Sequence, residues 1–360
     1  MKKIAFICAA NIKHMTLISL YTDKFKEIGQ KFDIIYIDKY HEVEEYNGAS
    51  NLYRFELTLK SDWSFPRKLV AYWGFRKFVK EVINKEQYDF LIIWNEFTAF
   101  MLEDYLRKRY AHKYCVNIRD ENYNHIPLIQ YRYKKVLEKS CFNTISSDRF
   151  REVFPKSEYL FVQSYNKELI DGVEVASSKR DLSLPIRIMF IGRMSYPETM
   201  RRAIEAFAND NRFELWLIGD GCDIFANRVK ELHANNIIIH GAFAPRETTQ
   251  YLANADIIYS LNKENDVHSD TLLPIKLYYA IGRHIPILVY KSSYTYEYAK
   301  KYGFDIGITD AEFDRIGDIV FDRYVKLQQR DIDDGCELAI KDIVYSRIKL
   351  NTMIEKYITS

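Results

Sequence analysis

Eleven short runs of nearly unbroken apolar residues, each five to seven long, alternate along this chain with stretches of helical period. Strands that are apolar on both faces must be covered on both faces, which requires parallel sheets sandwiched between helices. The runs fall into two series. The first holds IAFICA (4–9), DIIYID (33–38), DFLIIW (89–94), KYCVNI (113–118), FNTIS (142–146) and EYLFV (158–162); the second holds IRIMFIG (186–192), FELWLIG (213–219), NIIIHG (236–241), ADIIYSL (255–261) and IPILVY (285–290). Helices are expected over 15–29, 66–85, 97–110 and 130–139, and again where Met200, Ile204 and Phe207, then Phe225, Val229 and Leu232, recur at the helical period. Two such series predict two doubly wound, Rossmann-like α/β domains.

The length of 360 residues suits two domains, and 48% apolar with 28% charged residues suits folded cores. No run approaches the roughly 18 apolar residues of a membrane span. The opening MKKIAFICAANIKHM reads as a first strand rather than a secretory signal, and five scattered cysteines without CxxC spacing indicate neither a disulfide framework nor a zinc site. A cytoplasmic chain is expected. Its polar, proline-ended stretch divides it into 1–166, a linker 167–185, a domain 186–338 and a C-terminal helical segment 339–360 expected to pack on the first domain. The net charge of +2 hides 25 Lys+Arg against 19 Asp+Glu in residues 1–150 and 27 against 31 thereafter, so an anionic partner is expected to face the first half.

Four segments of the second half carry chemistry. In IMFIGRMSYPETMRRAIEAF (188–207) a strand ends at Gly192, Arg193 follows, and a helix opens near Pro197, a turn that brings backbone donors and a fixed cation to an anion. In LWLIGDGC, Gly219 and Gly221 permit a tight turn beside a ligand, though the full dinucleotide fingerprint is absent. In HGAFAPRETTQYL, Gly241 ends a strand and Phe243 and Ala244 lead to a helix start at Pro245. In NKENDVHSDTLLPIKLYYAIGRHIPILV, a polar loop is expected to deliver a helix running through Leu273, Leu277 and Ile281, with Ser269, Asp270 or Thr271 as its cap; Lys276 and Tyr279 stand on another face. Each segment also suits plain loop chemistry or a solvated surface.

In this order and spacing the four segments resemble the donor half of GT-B-fold glycosyltransferases, particularly the family 4 group of capsular and exopolysaccharide enzymes. The likeness covers 186–290 most clearly. It implies a nucleotide-sugar-dependent hexosyltransferase, with Gly192 and Arg193 near the donor diphosphate, Gly219 and Gly221 bordering the nucleotide, the Gly241–Ala244 turn on the base, and Leu272, Leu273 and Lys276 around phosphates and ribose. The family's pair of glutamates falls here on Thr271 and Tyr279. Its phosphate-binding lysine has no clear counterpart after Arg193, and Arg201 or Arg202 would substitute. The resemblance implies no metal and no cofactor besides a UDP- or GDP-sugar substrate.

In the first half, AANIKHM (9–15) with His14 and the Arg119-Asp120-Glu121 turn both follow strand ends. Asp120 or Glu121 would serve as general base on an acceptor hydroxyl or stabilise an oxocarbenium-like transition state, the alternative being an ion pair of Arg119 with an acid. Segment 60–85 interleaves seven Lys/Arg with Trp63, Phe65, Tyr72, Trp73, Phe75 and Phe78, a pattern for an anionic membrane surface, or for an ordinary helix with core aromatics. Nucleic acid is not expected. The sequence therefore points to a retaining glycosyltransferase, peripheral on the inner face of the membrane, acting on a lipid-linked glycan. A non-catalytic GT-B subunit binding a glycan or a partner transferase is the alternative.

Overall fold

The apolar runs pair side by side as two all-parallel sheets. The computed structural model describes the chain except residues 16, 59–63, 121–125, 167–171, 173, 177–180 and 360, and except the side chains of 65, 66, 68, 69, 245, 268 and 359. The chain divides into two compact units, Met1–Gln163 with Tyr345–Ser360, and Ser164–Val344.

The first unit holds β1 (Ile4–Cys8), β2 (Asp33–Asp38), β3 (Asn51–Glu56), β4 (Phe90–Trp94), β5 (Tyr114–Ile118), β6 (Phe142–Ile145) and β7 (Tyr159–Phe161), in the order β3-β2-β1-β4-β5-β6-β7. β1 pairs with both β2 and β4, so the direction of winding reverses between β1 and β4. Both faces of β1 and β4 are fully buried, as continuous apolar runs require. Phe6 centres the core, touching the rings of Phe32, Phe25, Tyr21 and Trp94, and Leu350, Ile354 and Ile358 from the chain's end join the same cluster.

The second unit holds β8 (Ile186–Ile191), β9 (Phe213–Ile218), β10 (Ile237–His240), β11 (Ile257–Tyr259), β12 (Ile287–Tyr290) and β13 (Asp305–Ile308), in the order β10-β9-β8-β11-β12-β13. Here the reversal lies between β8 and β11, which pair through Ile188–Ile257. Met200, Ile204 and Phe207, on the helix Pro197–Phe207, are buried against this sheet, as their spacing requires.

Several expectations are corrected. Strands β3 and β13 were not anticipated: NLYRFE is an edge strand with partial burial, and DIGI contains Gly307, where a Cβ would strike the Tyr296 ring at 2.3 Å. The helix expected over 97–110 breaks at Leu102 into Glu96–Met101 and Glu103–Arg109. The C-terminal helix begins at Gln329, not Ala339. The described residues of 164–185 carry no helix or strand and lie in the second unit, where Ala176 N donates to Arg283 O at 2.9 Å.

Candidate functional site

Open parallel sheets bind ligands beyond the carboxyl ends of their strands, where the winding reverses. In the second unit that place lies past β8 and β11, and it holds a pocket of about 220 Å³ walled by Phe190, Arg193–Tyr196, Met200, Leu261, Asn262, Leu272, Pro274 and Lys276. The Thr199 hydroxyl ties the two strand ends together by donating to the carbonyl of Asn262 at 2.6 Å.

Two cations reach this pocket by different means. Arg193 is 81% exposed, and its nearest acid is Asp220 at 3.9 Å. Lys276 is half-buried, and its ammonium lies 4.1 Å from the centre of the Phe190 ring. Among the described residues Lys276 makes neither an ion pair nor a hydrogen bond, and burial pulls its pKa down to about 8. A Cβ on Gly192 would stand 4.0 Å from Lys276 Cε, so the strand-end glycine and the lysine are neighbours. A desolvated ammonium resting on an aromatic face, with no carboxylate to neutralise it, is suited to an anion that arrives from solution.

The loop leading to Lys276 departs from expectation. Ser269, Asp270 and Thr271 do not cap the helix through Leu277. They form the short helix Val267–Thr271, whose cap is Asp266, accepting from Ser269 N at 3.0 Å. The chain then extends through Leu272, and the next helix, Ile275–Arg283, starts only after Pro274. Pro274 favours extended backbone before it and offers no N–H, which separates the two helices. Leu273, buried, therefore precedes the helix it was expected to join. Asp270 accepts from Ser292 Oγ at 3.1 Å, Thr271 Oγ1 donates to Val267 O at 2.8 Å, and Thr295 Oγ1 donates to Leu272 O at 3.0 Å. Tyr279 is buried, its phenol pushed up to about 12 by that burial, and it is not part of the pocket wall.

The remaining candidates of this unit lie along neighbouring strand ends. Gly219 N donates to His240 O at 2.9 Å, and Gly192 N to Ile218 O at 2.9 Å. At Gly219 φ is +137°, and a Cβ would fall 1.9 Å from Gly192 O: close packing of two strand ends demands glycine there, whatever ligand lies beyond. Gly221 follows in the left-handed region. Gly241, Phe243 and Ala244 follow β10, two strands from β8, hence roughly 10 Å away. The Phe243 ring packs edge-on against Tyr251, and Ala244 N donates to Glu247 at 2.7 Å. Arg201 is engaged by Glu198 and Glu205, and Arg202 by Asp310, so both are occupied cations.

In the first unit, His14 sits exposed past β1, 3.3 Å from Tyr40 Oη. Asp120 is exposed past β5, and Glu121 lies outside the described residues. The Arg119 guanidinium donates to Asn117 Oδ1 at 3.1–3.2 Å and to Val162 O at 2.9 Å, bridging strand ends. A larger hollow, about 620 Å³, opens at the amino ends of β6 and β7, where Glu138, Glu158, Lys349 and Lys356 mix both signs of charge. That end of a parallel sheet is opposite to the one where ligands bind.

In the helix Phe65–Glu86, Phe75 is buried, Phe78 packs on Phe55, and Tyr72 meets Phe97 edge-on. Trp73 and Val70 stay 52% and 72% exposed. Arg76 lies over Trp73 and pairs with Asp104 at 2.6 Å. Lys60 and Trp63 lie outside the described residues.

Sequence reasoning missed Phe190, Tyr196, Asn262 and Asp266. Only the last had a signal: an Asp three residues before Ser269 is a helix-start signature. Among the described residues no cluster of three His, Cys, Asp or Glu could hold a metal, and no helix is long and apolar enough to cross a membrane.

Two Rossmann-like parallel sheets in succession are the GT-B architecture, and this chain has that fold. It is similar in structure to the sucrose-phosphate synthase of Thermosynechococcus elongatus (TM-score 0.72, 11% identity, 99% of each chain covered). It is also similar to WaaG, a glycosyltransferase involved in lipopolysaccharide biosynthesis (0.65, 11%, 98% of this chain and 99% of that one), and to Anabaena HepE in complex with UDP and glucose (0.65, 10%, all of both chains). No protein-family model and no curated protein sequence matches the chain.

Proposed function

We propose that this protein is a glycosyltransferase that takes a sugar from a UDP- or GDP-linked donor and passes it to a lipid-linked glycan. The observation that carries the reading is the half-buried Lys276, which makes no ion pair among the described residues, beside Arg193 at the winding reversal of the second sheet. When the bond from sugar to diphosphate breaks, negative charge grows on the leaving phosphate. Cations already desolvated and held in place stabilise that charge with little reorganisation. Lys276 and Arg193 supply this stabilisation, so the reading invokes no cofactor. As the bond to the diphosphate breaks, the acceptor hydroxyl bonds to the sugar on the face the diphosphate leaves, so the anomeric configuration is kept. The hydroxyl proton passes to Asp120 or Glu121, with His14 beside the first unit's strand ends. The likeness to WaaG, involved in lipopolysaccharide biosynthesis, and to UDP-bound HepE supports a nucleotide donor and a role in surface polysaccharide synthesis. The exposed Trp73 and Val70 among basic residues support peripheral attachment to the inner, anionic membrane face.

The test is turnover and hydrolysis with UDP-, GDP- and CMP-sugars. The wild-type chain is expected to use one of them, and Lys276→Ala with Arg193→Ala to lose at least about a hundredfold in rate. Thr271 and Tyr279 in place of the family's glutamates favour one rival, a subunit that binds glycan without catalysis. A wild-type chain that binds no nucleotide sugar would decide for that rival.

A further inference from the structure

The pocket past β8 and β11 also meets the conditions under which a lysine reacts. An amine attacks a carbonyl carbon through its lone pair, which a bound proton blocks and a nearby carboxylate keeps blocked. Several ammonium groups of this chain are held that way: Lys24 by Glu27 and Glu355, Lys291 by Glu312, Lys301 by Asp342. Lys276 has no such ion pair among the described residues. Its Nζ rests 4.1 Å from the centre of the Phe190 ring, and Gly192 offers no side chain beside its Cε. The ionisable group acting on its charge is Cys222, a thiol that burial pushes up to about 11 and so keeps neutral at pH 7. Burial also brings the lysine down to about 8. At pH 8 about half of it is then a free amine, against roughly one in three hundred for a lysine of ordinary pKa. Arg193, 81% exposed, lines the same pocket and suits a phosphate. A free amine beside a fixed guanidinium fits one kind of electrophile, an acyl group whose leaving group is phosphate.

We infer that Lys276 is a modification site, acylated by small acyl phosphates that Arg193 draws into the pocket, and that the acyl-lysine closes the donor site. In the step, the Nζ lone pair forms a bond to the acyl carbon and the bond from that carbon to the phosphate oxygen breaks. Inorganic phosphate leaves with the proton that Nζ gives up. The product is a neutral amide, which has no charge to offer a diphosphate. The acylation stands on the pocket alone; its consequence for binding rests on the donor-site reading above.

The experiment exposes wild type and Arg193→Ala at pH 8 to acetyl phosphate, or to the N-hydroxysuccinimide ester of acetic acid, which has no phosphate. Acetylation of each lysine is followed by peptide mass spectrometry. Lys77, 81% exposed, is one comparison. Lys80 is the other: it too is half-buried over an aromatic ring, that of Tyr105, with its pKa lowered by burial, but it is not in this pocket. Lys276 is expected to react with acetyl phosphate roughly tenfold faster than Lys77, more free amine outweighing weaker intrinsic nucleophilicity. Arg193→Ala is expected to slow that reaction about threefold and to leave the ester reaction unchanged. Pyrophosphate is expected to protect Lys276 and not Lys80. A Lys276 no faster than Lys77, or one indifferent to both Arg193→Ala and pyrophosphate, overturns the inference while the donor-site reading stands. Protein acetylated at Lys276 is then titrated with UDP and GDP. Loss of the affinity that untreated protein shows supports closure of the site, and unchanged affinity overturns it. A chain that binds neither nucleotide before treatment, yet is acetylated at Lys276 as expected, supports the modification and sinks the donor-site reading.

Discussion

Lys276 shows what a single residue contributes when burial and charge conflict. Burial desolvates its ammonium, which makes no ion pair among the described residues, and pulls its pKa down to about 8, below the ordinary 10.5 of lysine. The lysine is charged at pH 7 and loses its proton as pH rises through about 8. Affinity for a nucleoside diphosphate is therefore expected to fall over that range. Titrations from pH 6.5 to 9.5 check this, and Lys276→Met should weaken binding and flatten the profile. The same shift sets a stability trend of definite sign. Between pH 8 and 10.5 the unfolded chain holds a proton on this lysine that the folded chain does not, so stability rises with pH across that window. Below pH 8 the burial penalty is present in full. Lys276→Met is thus expected to raise the melting temperature at pH 7 while impairing binding, a trade expected of a binding residue and not of a structural one. Arg193, largely exposed, should affect binding alone when changed to Ala: its melting curve is expected to overlay that of wild type.

At the scale of elements, the loops beyond the strands matter most. Gly219→Ala would force a Cβ into the Gly192 carbonyl at positive φ, and is expected to destabilise the second unit by about 3 kcal/mol or more, read from a urea melt. The strands that end in these loops were legible in the sequence, because runs such as IAFIC and FLIIW are buried on both faces and have few other ways to fold. Edge strand β3 and glycine-bearing β13 were not legible, since partial burial and a missing side chain both erase the apolar pattern. Arg193 was legible through its place after a strand end and Lys276 through its helix after a polar loop, whereas Leu272 was reached through the resemblance alone. The Tyr196–Ser269–Asp266 chain joins residues 73 positions apart, and no local pattern announces that. The helix Phe65–Glu86 divides its aromatics in a way that period alone did not: Phe75 is core, whereas Trp73 and Val70 face outward. Trp73→Ser is expected to reduce flotation of the protein with anionic vesicles. Flotation that ignores both lipid charge and this substitution would exclude the membrane reading.

For the whole molecule, the two sheets repeat one plan with different equipment. In each, the strand order reverses beside the first strand of the unit, at β1/β4 and at β8/β11, and the loops there gather polar and charged groups. Past β8 and β11 those groups are Lys276, Arg193 and Tyr196; in the first unit His14 lies past β1, and Arg119 and Asp120 lie past β5, the strand next to β4. The division of labour proposed here, donor on the second unit and acceptor on the first, follows from that difference. It also agrees with the positive charge of residues 1–150, where an anionic acceptor or membrane is expected. The most direct test of the central claim is calorimetric titration of UDP and GDP into wild type and Lys276→Ala at pH 7. A single site in wild type for one of the two, weakened at least about tenfold by the substitution, is the predicted result. Equal affinity in both proteins would show that the nucleotide diphosphate does not sit on Lys276, and the account of this site would be wrong.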